Sequence, residues 1–468
     1  MKGEAIVNKF LLTAVFCTLG VAASAAKFEW NLDPDRPDGQ YKSGETVKYT
    51  FSGKLDGQPL PEGTKLECVW RAGAERGEKF QLEMKGEKLV IDRPVTQTAS
   101  YLLTVMPLDA AGQPVTQPWM YAQCGVICDM DKVGMPDGFL PKDFDAWWDA
   151  EVAAQKKIPM DKAQRIPYNF QGCSASRIEQ LKSRDWYMDA LSKTENFDLR
   201  IPAAGTNWVA AALSFPKKPG KKFPAVISFY GVGWDGVCAI EPTGALNNDC
   251  IWIRVNAHGL PEGADWNTDY PKMRKWIENY ACKMPDWQKD YPRIGSGEGR
   301  DNYYYRYVFL RAARVVEYVK TMPEWDGKTI IVEGGSQGSA QSMAAAALAD
   351  GVTHVMLGIS AMCDFSGDAN TPKRAEAWPF TTRKPHHPEI DYFDCVNFAH
   401  RLHGKRIAMF IGLTDYLVPS TGPIAFYNAL PADNDKSIVT EACRGHDGPW
   451  AQGQRHDMIR KILKESRK

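Results

Sequence analysis

The chain has 468 residues and a mass of 52.3 kDa, room for two or three folding units at roughly 100 to 200 residues each, which excludes a binding peptide or a lone module. Lys+Arg and Asp+Glu number 57 each, giving a formal net charge of +0 and a pI near 7.1, so no bulk field steers the protein toward nucleic acid or an anionic membrane. Hydrophobic residues make up 44% and charged residues 24%, ordinary for a globular protein, which sets aside disordered, collagen-like and coiled-coil classes.

Lys2 and Lys9 precede the apolar run Phe10 to Val21, and Ala23-Ser24-Ala25 comes next with the small residues that a signal peptidase reads. Residues 1–25 are therefore expected to be a secretory signal. An apolar run of about twelve residues falls short of the roughly 20 that a spanning helix needs, so no membrane span is expected. Phe16 stands where a small residue would precede a lipidated Cys17, and soluble export, periplasmic or secreted, is favoured over a lipid anchor. Eleven cysteines less Cys17 leave ten, an even number in a chain bound for an oxidising compartment, where disulfides are permitted. Their connectivity is not readable. Cys124 and Cys128 have no histidine near them in sequence, which points to a bridge or ordinary burial rather than to zinc. No metal or nucleotide motif occurs, and Gly295 to Gly299 misses the dinucleotide spacing and reads as a loop.

From residue 27 to residue 125 the pattern has a period of two. Val47, Tyr49 and Phe51 alternate with polar residues, as do Leu66 and Cys68, then Phe80, Leu82 and Met84, then Leu89 and Ile91, then Tyr101, Leu103 and Val105. Short strands at this spacing, with Gly or Pro turns between them, predict an immunoglobulin-like β-sandwich. It carries no catalytic constellation. Its expected role is packing or spacing against the larger C-terminal unit, with carbohydrate contact as the alternative.

Residues 126–468 change to an α/β pattern. Phe223 to Tyr230, Ile251 to Val255, Thr329 to Val332, His354 to Ile359 and Ile407 to Ile411 are short apolar runs suited to strands buried on both faces. Tyr305, Val308, Ala312, Val315 and Val319 recur at helical spacing between them. This alternation predicts a doubly wound, mostly parallel sheet covered by helices.

Thr329 to Glu333 is a strand, Gly334-Gly335-Ser336-Gln337-Gly338 comes directly after it, and Ser339 to Ala349 is an alanine-rich helix. This is G-x-S-x-G in the strand–turn–helix setting that makes it a nucleophile elbow. The turn holds Ser336 in a strained conformation with its hydroxyl outward, and the Gln337 N–H, at a helix N-terminus, faces the place where an oxyanion would form. A serine hydroxyl needs a base to take its proton and a carboxylate to orient that base. The chain order on such a sheet is Ser, acid, His. Asp415 lies just past the late strand Ile407 to Gly412 and is the expected acid, with Asp364 as its competitor. Of the eight histidines, His258 and His354 precede the acid, His386 and His387 sit in a Pro-rich excursion, His400 and His403 flank a predicted helix end, and His456 opens the last helix. His446 alone lies in the loop after the last strand, Ile438 to Ala442, and is the expected base.

With these residues in place, residues 126–468 resemble the acetyl xylan esterase and cephalosporin C deacetylase group, carbohydrate esterase family seven, of the α/β-hydrolase superfamily. The carrying residues are Gly334 to Gly338, Asn302 to Ala312, Gly412 to Asp415 through Pro419-Ser420-Thr421, and Pro141 to Trp148, which is similar to the family's docking segment. The chain departs from the family at three places. Arg254 to Gly259 stands where the family has Arg-Gly-Gln, His446-Asp447 where it has His-Glu, and Ser339 where it has glycine.

The resemblance implies a Ser336, Asp415, His446 triad and a second oxyanion N–H from the loop after Gly231, at about Val232. Tyr230 and Trp234, beside that loop, are the candidate substrate contacts. Between Gly259 and Arg300, Trp266, Trp276, Trp287, Tyr270, Tyr280 and Tyr291 suggest either a lid with sugar-stacking faces or a small satellite core. The expected enzyme is a serine esterase that removes acetyl groups from carbohydrate, with no cofactor or metal. A peptidase of the prolyl oligopeptidase type and a non-catalytic carbohydrate-binding protein are the alternatives.

Overall fold

The structure is a computed structural model that describes residues 28–109, 111–114, 121–170, 175–205, 208–231, 240–258, 297–365, 388–448 and 453–467. The expected signal over residues 1–25 lies outside them, as do Val232, Trp234, the segment from Trp266 to Tyr291, His386 and His387. No helix among the described residues is long and apolar enough to cross a membrane.

The period of two in the N-terminal stretch becomes strands β1 (Phe28–Pro34), β2 (Gln40–Tyr41), β3 (Thr46–Leu55), β4 (Gln58–Pro59), β5 (Lys65–Ala72), β6 (Glu78–Glu83), β7 (Leu89–Pro94), β8 (Ala99–Pro107) and β9 (Ala122–Cys128). β1, β4 and β7 all pair with β3, and a second sheet runs β2-β9-β8-β5-β6. Val47, Tyr49 and Phe51 from the first sheet and Leu66, Cys68, Tyr101, Leu103 and Val105 from the second share one buried cluster. The alternate residues Lys48 and Thr50 are exposed, so each strand buries one face. Burying each large apolar side chain is worth about 1.5–3 kcal/mol, and a one-residue slip in register would turn that whole set outward.

The rest of the chain supplies β10 (Gln164–Pro167), β11 (Thr194–Pro202), β12 (Trp208–Pro216), β13 (Phe223–Phe229), β14 (Ile251–Asn256), β15 (Trp325–Gly335), β16 (His354–Gly358), β17 (Arg406–Gly412) and β18 (Asp435–Glu441). They form a nine-stranded sheet in the order β10-β11-β12-β14-β13-β15-β16-β17-β18. From β14 to β18 neighbouring strands are parallel, as the apolar runs predict. β10, β11 and β12 extend the sheet antiparallel, an extension that the sequence pattern does not announce. The middle of β12 is Ala210-Ala211-Ala212, a composition with little strand preference.

Successive residues of the central strands point to opposite faces. Ile227, Ile253, Ile330, Val332, Leu357 and Met409 join the cluster covered by helices Phe144–Lys156, Tyr305–Thr321, Gln337–Leu348 and Thr421–Ala429. Val226, Trp252, Ile331, Met356, Ala408 and Phe410 join a second cluster beneath helix Gln454–Glu465, through Ile459, Ile462 and Leu463. Trp148 is fully buried in the first cluster and donates its indole N–H to the Tyr392 carbonyl at 3.0 Å. The sheet thus has helices on both faces, the arrangement that leaves its carboxyl ends open for a site.

Candidate active site

β15 runs straight into helix Gln337–Leu348 with Ser336 at the corner, at φ 56 and ψ −123, a strained backbone for a residue with a Cβ. Two glycines make the corner possible. A Cβ on Gly334 would stand 2.4 Å from the Gly338 carbonyl carbon and oxygen, and one on Gly338 would stand 2.3 Å from the Phe229 carbonyl oxygen. The helix begins two residues earlier than the alanine run suggests, immediately after Ser336. The Ser336 N–H donates to the Gly358 carbonyl at 2.9 Å, which ties the corner to β16. Ser339 helps to pin it: its Oγ lies 2.7 Å from the Gly334 carbonyl and 2.9 Å from the Gly358 carbonyl, and it accepts the Gly358 N–H at 3.0 Å. A serine at 339 in place of the family's glycine is thus accommodated by bonds, not merely tolerated.

β17 and β18 deliver the other two groups. Their pairing continues past the strands, since Leu413 N–H donates to the Glu441 carbonyl and Thr414 N–H to the Arg444 carbonyl, both at 2.9 Å. Gly412 permits this approach, because a Cβ there would meet the Gly445 carbonyl oxygen at 2.4 Å. The loops that carry Asp415 and His446 lie side by side as a result. His446 Nδ1 is 2.8 Å from Asp415 Oδ2, and His446 Nε2 is 3.0 Å from Ser336 Oγ. The other oxygen of Asp415 accepts the N–H groups of Leu417 and Val418, each at 2.9 Å. A buried carboxylate held by two amides and an imidazole is fixed in direction.

The other histidines of the described residues are engaged elsewhere. His258 Nδ1 meets the Tyr304 hydroxyl at 2.5 Å in the interior, His354 bonds Thr353 at 2.8 Å, and His400 and His403 pair with Asp145 and Asp433. His456 Nε2 accepts from Arg455 at 2.9 Å. The competing acid Asp364 is buried at φ 67 and donates its N–H to Asp394 at 3.0 Å. Burial, and then the neighbouring Asp364 charge, push the Asp394 carboxyl up to about 8.

Gln337 opens the helix, and its side-chain oxygen accepts the Tyr305 hydroxyl at 2.9 Å, a contact between buried groups that no local pattern announces. Gly231, two residues past β13, comes within 4.0 Å of the Ser336 Cβ, measured from the Cβ it would carry. Tyr230 lies under the Arg254 guanidinium at 4.5 Å and packs toward Leu181, Tyr187, Ala212 and Ile240. Its carbonyl accepts from Gln341 at 3.0 Å. Among the described residues no group of three or more His, Cys, Asp and Glu is arranged to hold a metal ion.

The N-terminal unit reaches this site. Gly125 N–H donates to the Ala442 carbonyl at 2.8 Å, and Ala442 N–H to the Pro37 carbonyl at 3.2 Å. Thr440 Oγ1 donates to the Asp38 carbonyl at 2.6 Å and accepts from Gln40 at 3.0 Å. No sequence pattern foretells these contacts. Cys124 and Cys128 do not face each other, since four residue steps along the strand place them about 13 Å apart, beyond the roughly 7 Å that a disulfide spans. Cys124 instead meets Cys443.

The acetyl xylan esterase (AXE1) family profile matches residues 132–457. The chain is 27% identical over 455 residues to the acetyl esterase Axe7A of Xylanibacter ruminicola, covering 93% of this chain and 92% of that one. Among solved structures, acetyl xylan esterase 1 from Thermoanaerobacterium sp. JW/SL YS485 is similar, with a TM-score of 0.55, 19% identity, and coverage of 71% of this chain and 97% of that chain. The acetyl xylan esterase from Paenibacillus sp. R4 is similar as well, with a TM-score of 0.52, 19% identity, and coverage of 70% and 97%. At that identity these two likenesses speak for the fold, and the family match speaks for the chemistry. The chain belongs to the acetyl xylan esterase family and is a serine carboxylic-ester hydrolase.

Proposed function

We propose that the protein is an exported esterase that removes acetyl groups from acetylated xylan or xylo-oligosaccharides through a Ser336–His446–Asp415 triad and an acyl-enzyme. The observation that carries the reading is an imidazole within 3.0 Å of a strained serine hydroxyl and 2.8 Å of a buried carboxylate. His446 takes the proton of Ser336 as its oxygen adds to the acetyl carbonyl. Asp415 holds the imidazole in its tautomer and stabilises the positive charge that forms. The carbonyl oxygen becomes an oxyanion held by backbone N–H groups of Gln337 and Val232. The tetrahedral adduct collapses, the sugar hydroxyl leaves with the proton from His446, and water repeats the sequence to release acetate.

Tyr230 and Trp234, flanking the loop that supplies Val232, are the proposed substrate contacts. No cofactor, metal or nucleic acid enters the scheme. Residues 1–25 are the proposed export signal, 27–125 an immunoglobulin-like sandwich and 126–468 the hydrolase domain. Acetylation on a polysaccharide outside the cell suits an exported enzyme, and the name of the Xylanibacter relative, an acetyl esterase, supports the acyl group. The test is acetate release from acetylated xylan, xylo-oligosaccharides and a chromogenic acetate, measured side by side. Hydrolysis of the chromogenic ester with no release from either carbohydrate would refute the substrate.

A further inference from the structure

Cys124 on β9 and Cys443, just past β18, lie 319 positions apart in the chain, yet their sulfurs are 3.1 Å apart. A closure of about 1 Å would give the roughly 2.05 Å of a disulfide. Around them the two chain segments are already aligned, since the neighbouring Gly125 N–H donates to the neighbouring Ala442 carbonyl at 2.8 Å. Cys124 is buried and Cys443 exposed. We propose that Cys124 and Cys443 form a redox-sensitive disulfide that staples the His446 loop to the N-terminal unit.

The pair is built for directional exchange. The Cys443 thiol reaches the Leu32 carbonyl at 3.0 Å from an exposed position, so an outside reagent can meet it. A bond from the Cys124 thiol draws the Cys443 thiol below its ordinary range, while burial pushes Cys124 well above it. Cys443 is therefore the residue that supplies thiolate. It attacks one sulfur of an external dithiol-derived or glutathione-type disulfide, the S–S bond breaks, and one thiolate leaves. Cys124 then attacks the Cys443 sulfur of the mixed disulfide, loses its proton to solvent, and expels the second thiolate. The protein gives up two electrons and two protons, and the external disulfide becomes two thiols.

Cys443 stands three residues before His446. A bond there fixes one end of the loop that holds the imidazole 3.0 Å from Ser336, and it closes a loop spanning 319 positions, a length at which cross-linking strongly restricts the unfolded chain. The bond is independent of the function proposed above. Its effect on catalysis rests on His446 being the base.

The experiment uses the full mature chain, oxidised with glutathione disulfide or reduced with dithiothreitol. Non-reducing proteolysis and mass spectrometry of the oxidised protein should give one linked species holding Cys124 and Cys443, two hydrogens lighter than the separate peptides. Reduction should lower Tm by on the order of 5 °C and shorten the half-life of thermal inactivation roughly tenfold. In Cys443→Ser, and separately in Cys124→Ala, oxidised and reduced samples should not differ. Recovery of the two residues unlinked after oxidation, or either one joined to a different cysteine, overturns the proposal. Equal melting of oxidised and reduced wild type, with the link mapped, overturns the staple. Mapping and melting use no substrate, so a failed esterase assignment leaves them standing.

Discussion

Gly125, on β9 of the N-terminal unit, faces the Leu413 carbonyl so closely that a Cβ on it would stand 2.1 Å from that oxygen. Leu413 is two residues before Asp415, and β9 therefore sets where the Asp415 loop rests. Gly125→Ala should push that loop away and lower kcat by on the order of tenfold to a hundredfold, since small misplacements of reacting groups are costly, with a lowered Tm. Gly134→Ala, at a position with nothing within 4 Å, should change neither. Steady-state kinetics and thermal melts decide it, and a wild-type kcat in Gly125→Ala would detach the N-terminal unit from catalysis.

Ser336→Ala should reduce ester hydrolysis by about three orders of magnitude or more while circular dichroism and Tm stay near wild type. Labelling by a fluorophosphonate should vanish with the hydroxyl. More than a few per cent of residual activity would move the nucleophile elsewhere.

For the acid, Asp415→Asn should cost about a thousandfold or more in kcat, because the amide cannot both accept from the imidazole and hold its charge. Asp364→Asn should cost less than about tenfold in rate, since His446 Nδ1 is bonded to Asp415 while Asp364 contacts Asp394. Reversal of that ranking in correctly folded variants would reassign the carboxylate.

A protonated imidazole cannot take the Ser336 proton, so kcat/KM should fall on acidification. In His446→Ala the small remaining rate should lose that acid limb. Because no bound water is titrated in this scheme, a chelator should leave the wild-type rate unchanged; inactivation by EDTA, reversed by zinc, would replace the mechanism.

His354 gives a separate prediction about stability. Burial, then the nearby Arg406 charge, pushes its pKa from an ordinary 6.5 down to about 4, against the opposing influence of Glu465 and Asp435. Between these values the unfolded chain binds the proton and the folded one does not, so stability rises with pH across this window and is lost as pH falls from 6.5 toward 4. His354→Gln should flatten that slope, read from Tm at about pH 4.5, 5.5 and 6.5. An unchanged slope would show that the ring titrates alike in both states.

The nucleophile turn is legible in the sequence because everything it needs is local: a strand, Gly334, Ser336, Gly338 and a helix succeed one another within the chain. Asp415 and His446 are legible through chain order, each being a polar residue just past a late strand. The alternation of Val47, Tyr49 and Phe51 is legible because the N-terminal strands bury one face. Local pattern carries no record of which loop meets which. It cannot show that Gly125 abuts Leu413, that Cys124 meets Cys443, or that Tyr305 bonds Gln337. β12 escapes notice for a different reason: a run of alanines has neither the branching nor the alternation that marks a strand.

The bond from Gln40 to Thr440 joins residues 400 positions apart, linking the first strands of the N-terminal unit to the last strand of the hydrolase sheet. During synthesis the N-terminal unit emerges before the hydrolase sheet and can fold as a unit, while β18 and the loop after it emerge several hundred residues later. Contacts of such separation form late in folding. Under the proposed triad, ester hydrolysis should accordingly be a late reporter: a refolding chain would regain the fluorescence of its buried tryptophans before His446 is placed, and a chain stalled before residue 446 would carry a formed elbow without its proposed base.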